Sequence, residues 1–270
     1  MAYAVAVACV LVLILILIFT RTVDNFESGK VIEIVVTIFE EDLDWLETIP
    51  PSFYNKMTIY NKGSPKIINL PNATVIDLPN YGKDVHTVLY HVVTNYSNLA
   101  DVTFFLHGSV NTDEIKKYYY HLIKRQLAVD PKSAIVCAIP DRNIIDNTLE
   151  YFKIDNYRNS NHKNRIANPN SKLEPASIRP LGKWFEHYFP GETLDCMAFK
   201  GIFAVSREDV LKRPKSFYET LLTQVSMQDP EVAHYIERVW ISVFSIAKEN
   251  YLPDRPQGFI EGFIASRLGQ

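Results

Sequence analysis

The chain has 270 residues, a net charge of −3, and 15 Tyr and 15 Phe against 10 Gly. Near-neutral charge argues against nucleic acid as a partner, and the aromatic content suits one sizeable core. Of its 3 cysteines, Cys9 lies in an apolar run. Cys137 and Cys196 alone make neither a disulfide framework nor a zinc-type pair, in keeping with a reducing compartment.

Met1 to Phe19 is apolar or aromatic throughout. As a helix it would extend roughly 28 Å, about the hydrocarbon thickness of a bilayer. No Lys or Arg precedes it, and its Ala-x-Ala patterns lie at the wrong end for a cleaved signal peptide. The expectation is a single transmembrane helix over residues 1–20, a polar linker over 21–30, and an α/β domain over 31–270. Arg21 and Lys30 follow the apolar run, so the positive-inside tendency places the domain in the cytosol. The sequons Asn72-Ala73-Thr74 and Asn95-Tyr96-Ser97 bear only on a secretory lumen, and such triplets often arise by chance.

Val31 to Phe39 is a β-branched apolar run that predicts a buried strand. The acidic stretch Glu40-Glu41-Asp42-Leu43-Asp44 then opens a short helix stopped at Pro50-Pro51. Met57–Tyr60 reads as a strand closed by Asn61-Lys62-Gly63, and Val75–Leu78 as a third, short one. The clearest helix runs from Asp84 to Tyr96, with apolar residues at i, i+3, i+4, i+7, i+8 and i+11 and Asp84 placed as N-cap. A continuous apolar strand, Val102–Leu106, delivers His107-Gly108-Ser109. A helix over about 112–127 and a strand over Ala134–Ile139 follow.

Residues 141–180, rich in Asn and scattered charge, read as one long irregular loop. Beyond it come an aromatic helix-like stretch at Trp184–Phe189, a strand at Gly201–Val205, and a short helix from Arg207 that Pro214 ends. The last helix is Pro230–Lys248, capped by Asp229. Strands alternating with helices predict a mostly parallel central sheet flanked by helices. Ligands of such sheets sit beyond the carboxyl ends of the strands. That rule picks out Glu40–Asp44, Asn61–Gly63 and His107–Ser109.

No Walker loop, Gly-x-Gly-x-x-Gly, Gly-x-Ser-x-Gly or His-Glu-x-x-His is present. The candidates are therefore individual residues. His107 is suited to neutralising a diphosphate or ligating a metal, or else caps its strand. Glu40 adjoins a strand end; Asp42 and Asp44 fit a charged first helical turn. Lys83 and Asp84 open a helix that can face a phosphate, and His86 is within a turn of them. His91 is read as structural. Glu237, beside the apolar face of the last helix, suits a general base or an intrahelical ion pair.

Several blocks resemble the family called domain of unknown function 3431. They are Trp45-Leu46-x-x-x-Pro50, Ile59-Tyr60-Asn61-Lys62-Gly63, Asn80-x-Gly82-Lys83-Asp84-x-His86-Thr87, Asn95 through His107, Gly201-Ile202-Phe203-Ala204-Val205-Ser206-Arg207 and Glu237-Arg238-Val239-Trp240. The resemblance covers about residues 33–245. The family name carries no known activity, but the block order is similar to the A-type nucleotide-sugar fold of glycosyltransferases. That similarity implies Thr37 and Glu40 near the nucleotide, Asn61, Lys83 and Asp84 near the base or ribose, and Glu237 as base. It puts His107 and Ser109 where such enzymes carry a metal-binding Asp-x-Asp, so dependence on Mn²⁺ or Mg²⁺ is left open. Arg207 joins Lys83 and His107 on the phosphate side. The implied activity is a membrane-anchored glycosyltransferase moving a sugar from a nucleotide sugar to a glycan or other acceptor hydroxyl. The alternatives are a catalytically silent glycan- or protein-binding domain at a membrane, and a hydrolase pairing Glu40 with Glu237.

Overall fold

The computed structural model describes residues 29–66, 68–154 and 173–254. The expected membrane segment, residues 1–19, lies outside them. Among the described residues no helix is long and apolar enough to cross a membrane.

Seven strands form one sheet in the order β3-β2-β1-β4-β6-β5-β7. They are β1 (Ile32–Ile38), β2 (Lys56–Asn61), β3 (Ala73–Asp77), β4 (Val102–His107), β5 (Ala134–Cys137), β6 (Phe203–Ser206) and β7 (Tyr251–Pro253). The sheet, expected to be mostly parallel, is mixed. β1, β2, β3 and β4 run parallel, and β6 pairs antiparallel with both β4 and β5. β-Branched and aromatic residues bury both faces of the central strands, as a sheet with helices on either side requires. Val35, Phe105 and Phe203 pack into one large core. Phe104, facing the other way, stacks on Tyr120 with ring centroids 6.1 Å apart.

The helices in chain order are α1 (Lys83–Asn95), α2 (Glu114–Val129), α3 (Arg142–Tyr151), α4 (Leu181–Tyr188), α5 (Arg207–Leu211), α6 (Lys215–Val225), α7 (Glu231–Arg238) and α8 (Trp240–Val243). The acidic stretch after β1 gives only 3-10 turns, at Asp44–Thr48 and Pro51–Phe53. Residues 141–180 are not wholly irregular: Asp141 caps α3 by accepting from the Ile144 N–H at 3.1 Å. Helix α6 was not foreseen.

The expected long helix at 230–248 is broken. Its N-cap is Pro230 rather than Asp229, and the helix stops at Arg238. Val239 adopts φ −119°, ψ 23°, and the chain restarts as α8. The break lets Trp240 and Phe244 stack at 5.6 Å and both pack on Phe203 of the sheet. Tertiary burial of two large rings outweighs the helical bonds forgone.

A second correction concerns the cysteines. Cys137, at the end of β5, is disulfide-bonded to Cys196, with Cα atoms 5.7 Å apart. That separation is ordinary for a disulfide. Beside the bond, Met197 and Ile139 exchange backbone hydrogen bonds of 3.0 and 3.1 Å. The segment approaching β6 is thereby clamped to the edge of the sheet.

Candidate functional site

The chain runs β1, β2, β3 outward, then returns to place β4 on the other flank of β1. This reversal makes the carboxyl ends of β1 and β4 a topological switch point, where open α/β sheets form their ligand crevice. Thr37 of β1 lies beside His107 of β4 there. Because β6 runs antiparallel and Phe105 pairs with Phe203, the loop before β6 arrives at the same end. That loop brings Lys200 and Gly201. Helix α1 supplies Asp84, α2 supplies Lys116, and α7 supplies Glu237.

At the centre, His107 Nε2 lies 3.3 Å from Asp84 Oδ2, the two side chains being 15% and 16% exposed. The contact falls short of a hydrogen bond and becomes an ion pair when the imidazole is protonated. Burial alone would raise the Asp84 carboxyl, but His107 beside it, with Lys116, holds it well below the ordinary carboxylate range. Asp84 is therefore not the N-cap its position suggested. Gly82 takes that place at φ 49°, and a Cβ there would overlap the Val225 carbonyl at the end of α6.

Gly201 seals the pair from the other side. At φ +56°, its absent Cβ would overlap Asp84 Oδ2 and sit 2.8 Å from His107 Nε2. Lys200, its neighbour, also has positive φ, at 74°, and so does Lys83, at 55°. Non-glycine residues in that region carry strain that persists where the surroundings enforce it, often at functional sites. The Lys200 N–H donates to Glu237 Oε1 at 3.0 Å, and its Nζ donates to Asp113 Oδ2 at 3.2 Å. Glu237 is half-buried, and its Oε2 has no hydrogen-bond donor among the described residues.

Lys116 Nζ donates to Ser109 Oγ at 2.6 Å. Burial lowers its pKa, partly offset by Asp84, Asp113 and Glu237, with Lys200 adding to the depression. Lys62, just beyond β2, is 6% exposed. Its Nζ donates to the Tyr81 carbonyl at 2.6 Å and to the Lys83 carbonyl, so it holds the turn that starts α1. Burial brings its pKa down to about 7 against the opposing pull of Asp84. Lys83 Nζ is 3.4 Å from His234 Nε2 of α7. Around the end of β4 thus lie Lys116, Lys200, His107 and the carboxylates of Asp84, Asp113 and Glu237, with Lys62 buried behind the start of α1 and Lys83 turned toward α7.

Of the residues anticipated from sequence, the structure brings Lys83, Asp84, His107, Ser109 and Glu237 together, with Thr37 at the strand end below. Glu40 stands at the rim, its Oε1 accepting from the Ser64 N–H at 2.8 Å and hydroxyl at 2.9 Å. Those two bonds lower its pKa. Asn61 is buried in its own turn, donating to the Ser64 carbonyl at 3.0 Å and to Asp77 at 2.9 Å. His86 is buried beneath Tyr81 and stacked on Tyr90, ring centroids 6.0 Å apart. Arg207 is at the other end of the sheet, paired with Asp101 at 2.7 Å. The antiparallel course of β6 carries it there, because Ser206 pairs with Val102 at the start of β4.

Sequence reasoning missed Asp113, Lys116 and Lys200. Lys62 it touched only as a member of the Asn61–Gly63 strand end and of a quoted block, without a role of its own. Glu231 was missed too. Fully buried, it accepts from Ile154 N at 2.6 Å, Ala176 N at 2.9 Å, the Tyr235 hydroxyl at 3.0 Å and Arg179 Nη2 at 3.2 Å, with Arg179 Nε ion-paired at 2.8 Å. It is a structural staple joining the two sides of the 155–172 stretch to α7.

Fold and site define an α/β protein with a cluster of paired charges at the switch point of its sheet. The chain belongs to the family described as "Protein of unknown function (DUF3431)", which matches residues 34–259. No curated protein matches it.

Proposed function

We propose that this chain is a glycosyltransferase-like enzyme of the A-type, anchored by residues 1–19, that moves a sugar from a nucleotide sugar to an acceptor hydroxyl. One observation carries the reading. Beyond the carboxyl end of β4, Lys116, Lys200 and His107 gather about Asp84 and Asp113, beside one carboxylate, Glu237, whose Oε2 accepts no hydrogen bond among the described residues.

A nucleotide sugar carries its leaving group as a diphosphate. The acceptor oxygen bonds to the anomeric carbon, the bond to the diphosphate oxygen breaks, and the hydroxyl proton passes to Glu237 Oε2. The charge that grows on the leaving diphosphate is met by the ammonium groups of Lys116 and Lys200, fixed in place before the reaction. Lys200 links both ends: its Nζ lies among the charges, and its N–H orients Glu237.

A divalent cation fits this donor set poorly. Asp84 is engaged by His107 and Asp113 by Lys200, and lysines surround both. Among the described residues no three His, Cys, Asp or Glu side chains have metal-site spacing. The reading is therefore of a transferase whose lysines do the work of Mn²⁺ or Mg²⁺.

The test uses the full chain in detergent with a panel of nucleotide sugars, with and without Mn²⁺. At least one is expected to raise the melting temperature and to release nucleoside diphosphate in the presence of EDTA. Glu237→Gln should keep binding and lose turnover by roughly 10²–10⁴-fold, the usual worth of a general base. If no nucleotide sugar changes the melting temperature, the reading fails. The silent glycan- or protein-binding domain, which the absent Asp-x-Asp at His107-Gly108-Ser109 favours, then takes its place.

A further inference from the structure

We infer that Asn72 is an N-glycosylation site and that the domain beginning at Val31 folds in an oxidising, glycosylating lumen. Two observations meet in this, and neither depends on the transferase reading. The first is the Cys137–Cys196 disulfide. Such bonds form and persist in secretory and extracellular compartments and are rare in a reducing cytosol. The cytosolic expectation leaned on an absence of disulfides and on two basic residues, Arg21 and Lys30; the bond removes the first support.

The second is the geometry of the sequon Asn72-Ala73-Thr74. Leu70 O accepts from the Ala73 N–H at 3.3 Å, closing a turn with Pro71 and Asn72 at its centre. Asn72 has φ 55°. Proline at the second position and asparagine at positive φ in the third are what a type II turn selects. Asn72 and Thr74 are both exposed, so the turn presents the acceptor amide outward. Asn72 precedes β3, an edge strand, and its carbonyl accepts from Met57 at the start of β2. A glycan there stands at the end of the sheet away from the crevice, over an edge that natural proteins commonly cover.

The other sequon, Asn95-Tyr96-Ser97, is built differently. The Asn95 amide donates to the His91 carbonyl at 2.9 Å, and the Tyr96 hydroxyl donates to the Arg213 carbonyl. Its acceptor nitrogen is committed within the helix end, so this site stays unmodified.

The co-reactant is an oligosaccharide linked through a diphosphate to a lipid carrier. Asn72 Nδ2 bonds to the anomeric carbon, the bond to the diphosphate oxygen breaks, and the amide gives up one proton as the lipid diphosphate leaves.

The experiment is translation of the full chain with endoplasmic-reticulum microsomes, followed by endoglycosidase digestion and protease added outside the vesicles. The native chain and Asn95→Gln should each show one endoglycosidase-sensitive gel step and a protease-protected domain. Asn72→Gln and Thr74→Ala should lose the step, and Thr74→Ser should restore it. An unglycosylated native chain, protected or not, overturns the inference, as does a glycan that survives Asn72→Gln.

Discussion

Gly201→Ala tests whether the crevice is assembled as described, and Gly191→Ala is its matched control. Both glycines have positive φ, +56° and +75°. Alanine in that region costs roughly 1–2 kcal/mol from backbone sterics alone. At Gly191 nothing lies within 4 Å of the added Cβ, so about 1 kcal/mol is the whole expected loss. At Gly201 the Cβ overlaps Asp84 Oδ2 and crowds His107 Nε2. Overpacking of this kind costs a further 1–3 kcal/mol or so. The expected total is about 3 kcal/mol, or roughly 6–12 °C in melting temperature for a domain of this size. For Gly191→Ala the drop should be roughly 2–4 °C. Paired urea denaturation and thermal melts on the two variants read this out. Equal stabilities would refute the close approach of Gly201 to the Asp84–His107 pair, and with it the placement of the Lys200 loop in the crevice.

The remaining predictions concern pH and the disulfide. The buried His86 imidazole is pulled down to about 4 from 6.5, first by burial and then by Lys62. The unfolded chain therefore takes up its proton at higher pH than the folded one. This contribution is absent above pH 6.5, grows as pH falls, and reaches about 3 kcal/mol of destabilisation below pH 4. His86→Phe, which keeps a ring against Tyr90, should flatten the stability profile between those limits. A slope remains from His91, likewise held down to about 4. An unchanged profile in equilibrium denaturation across that range would contradict the burial of His86. Cys137 and Cys196 are 59 residues apart, which by chain-entropy reasoning makes the crosslink worth about 4 kcal/mol. Reductant, or the double variant Cys137→Ser/Cys196→Ser, should lower the denaturant midpoint accordingly; identical midpoints would show that the clamp contributes nothing.

The strands were legible wherever both faces of the sheet are covered, because β-branched runs such as Ile32–Ile38 and Val102–Leu106 announce themselves. Helix α1 was legible from its apolar stripe. Helix α6 was equally readable, with Phe217, Tyr218, Leu221, Leu222 and Val225 at helical spacing after Pro214. The break at Val239 was not, because it is set by the stacking of Trp240 and Phe244 on Phe203, a contact between residues distant in sequence. The same holds for the site. His107, Asp84 and Glu237 stand out because strand-end and helix-start rules point to them. Lys116 and Lys200 sit on a helix and a loop with no local mark, and they join the crevice only through the return of β4 and the antiparallel course of β6. Arg207 was misplaced for the same reason: strand direction decides which end of β6 meets the crevice, and residue type does not encode it.

The direction of β6 has a further consequence. Chain that leaves β5 after Cys137 comes back at Phe203 on the same side of the sheet, and the disulfide ties the two feet of this excursion together. Within it Ile145, Leu181, Trp184 and Phe185 are buried in the core, so length can change cheaply only outside α3 and α4, where doubling a loop adds only about 0.6 kcal/mol of closure entropy. The strands, Asp84 and His107 need not move when it does. The excursion is thus anchored twice at one end of the sheet, by the disulfide at its feet and by Lys200 and Gly201 against Glu237 and Asp84 just before β6.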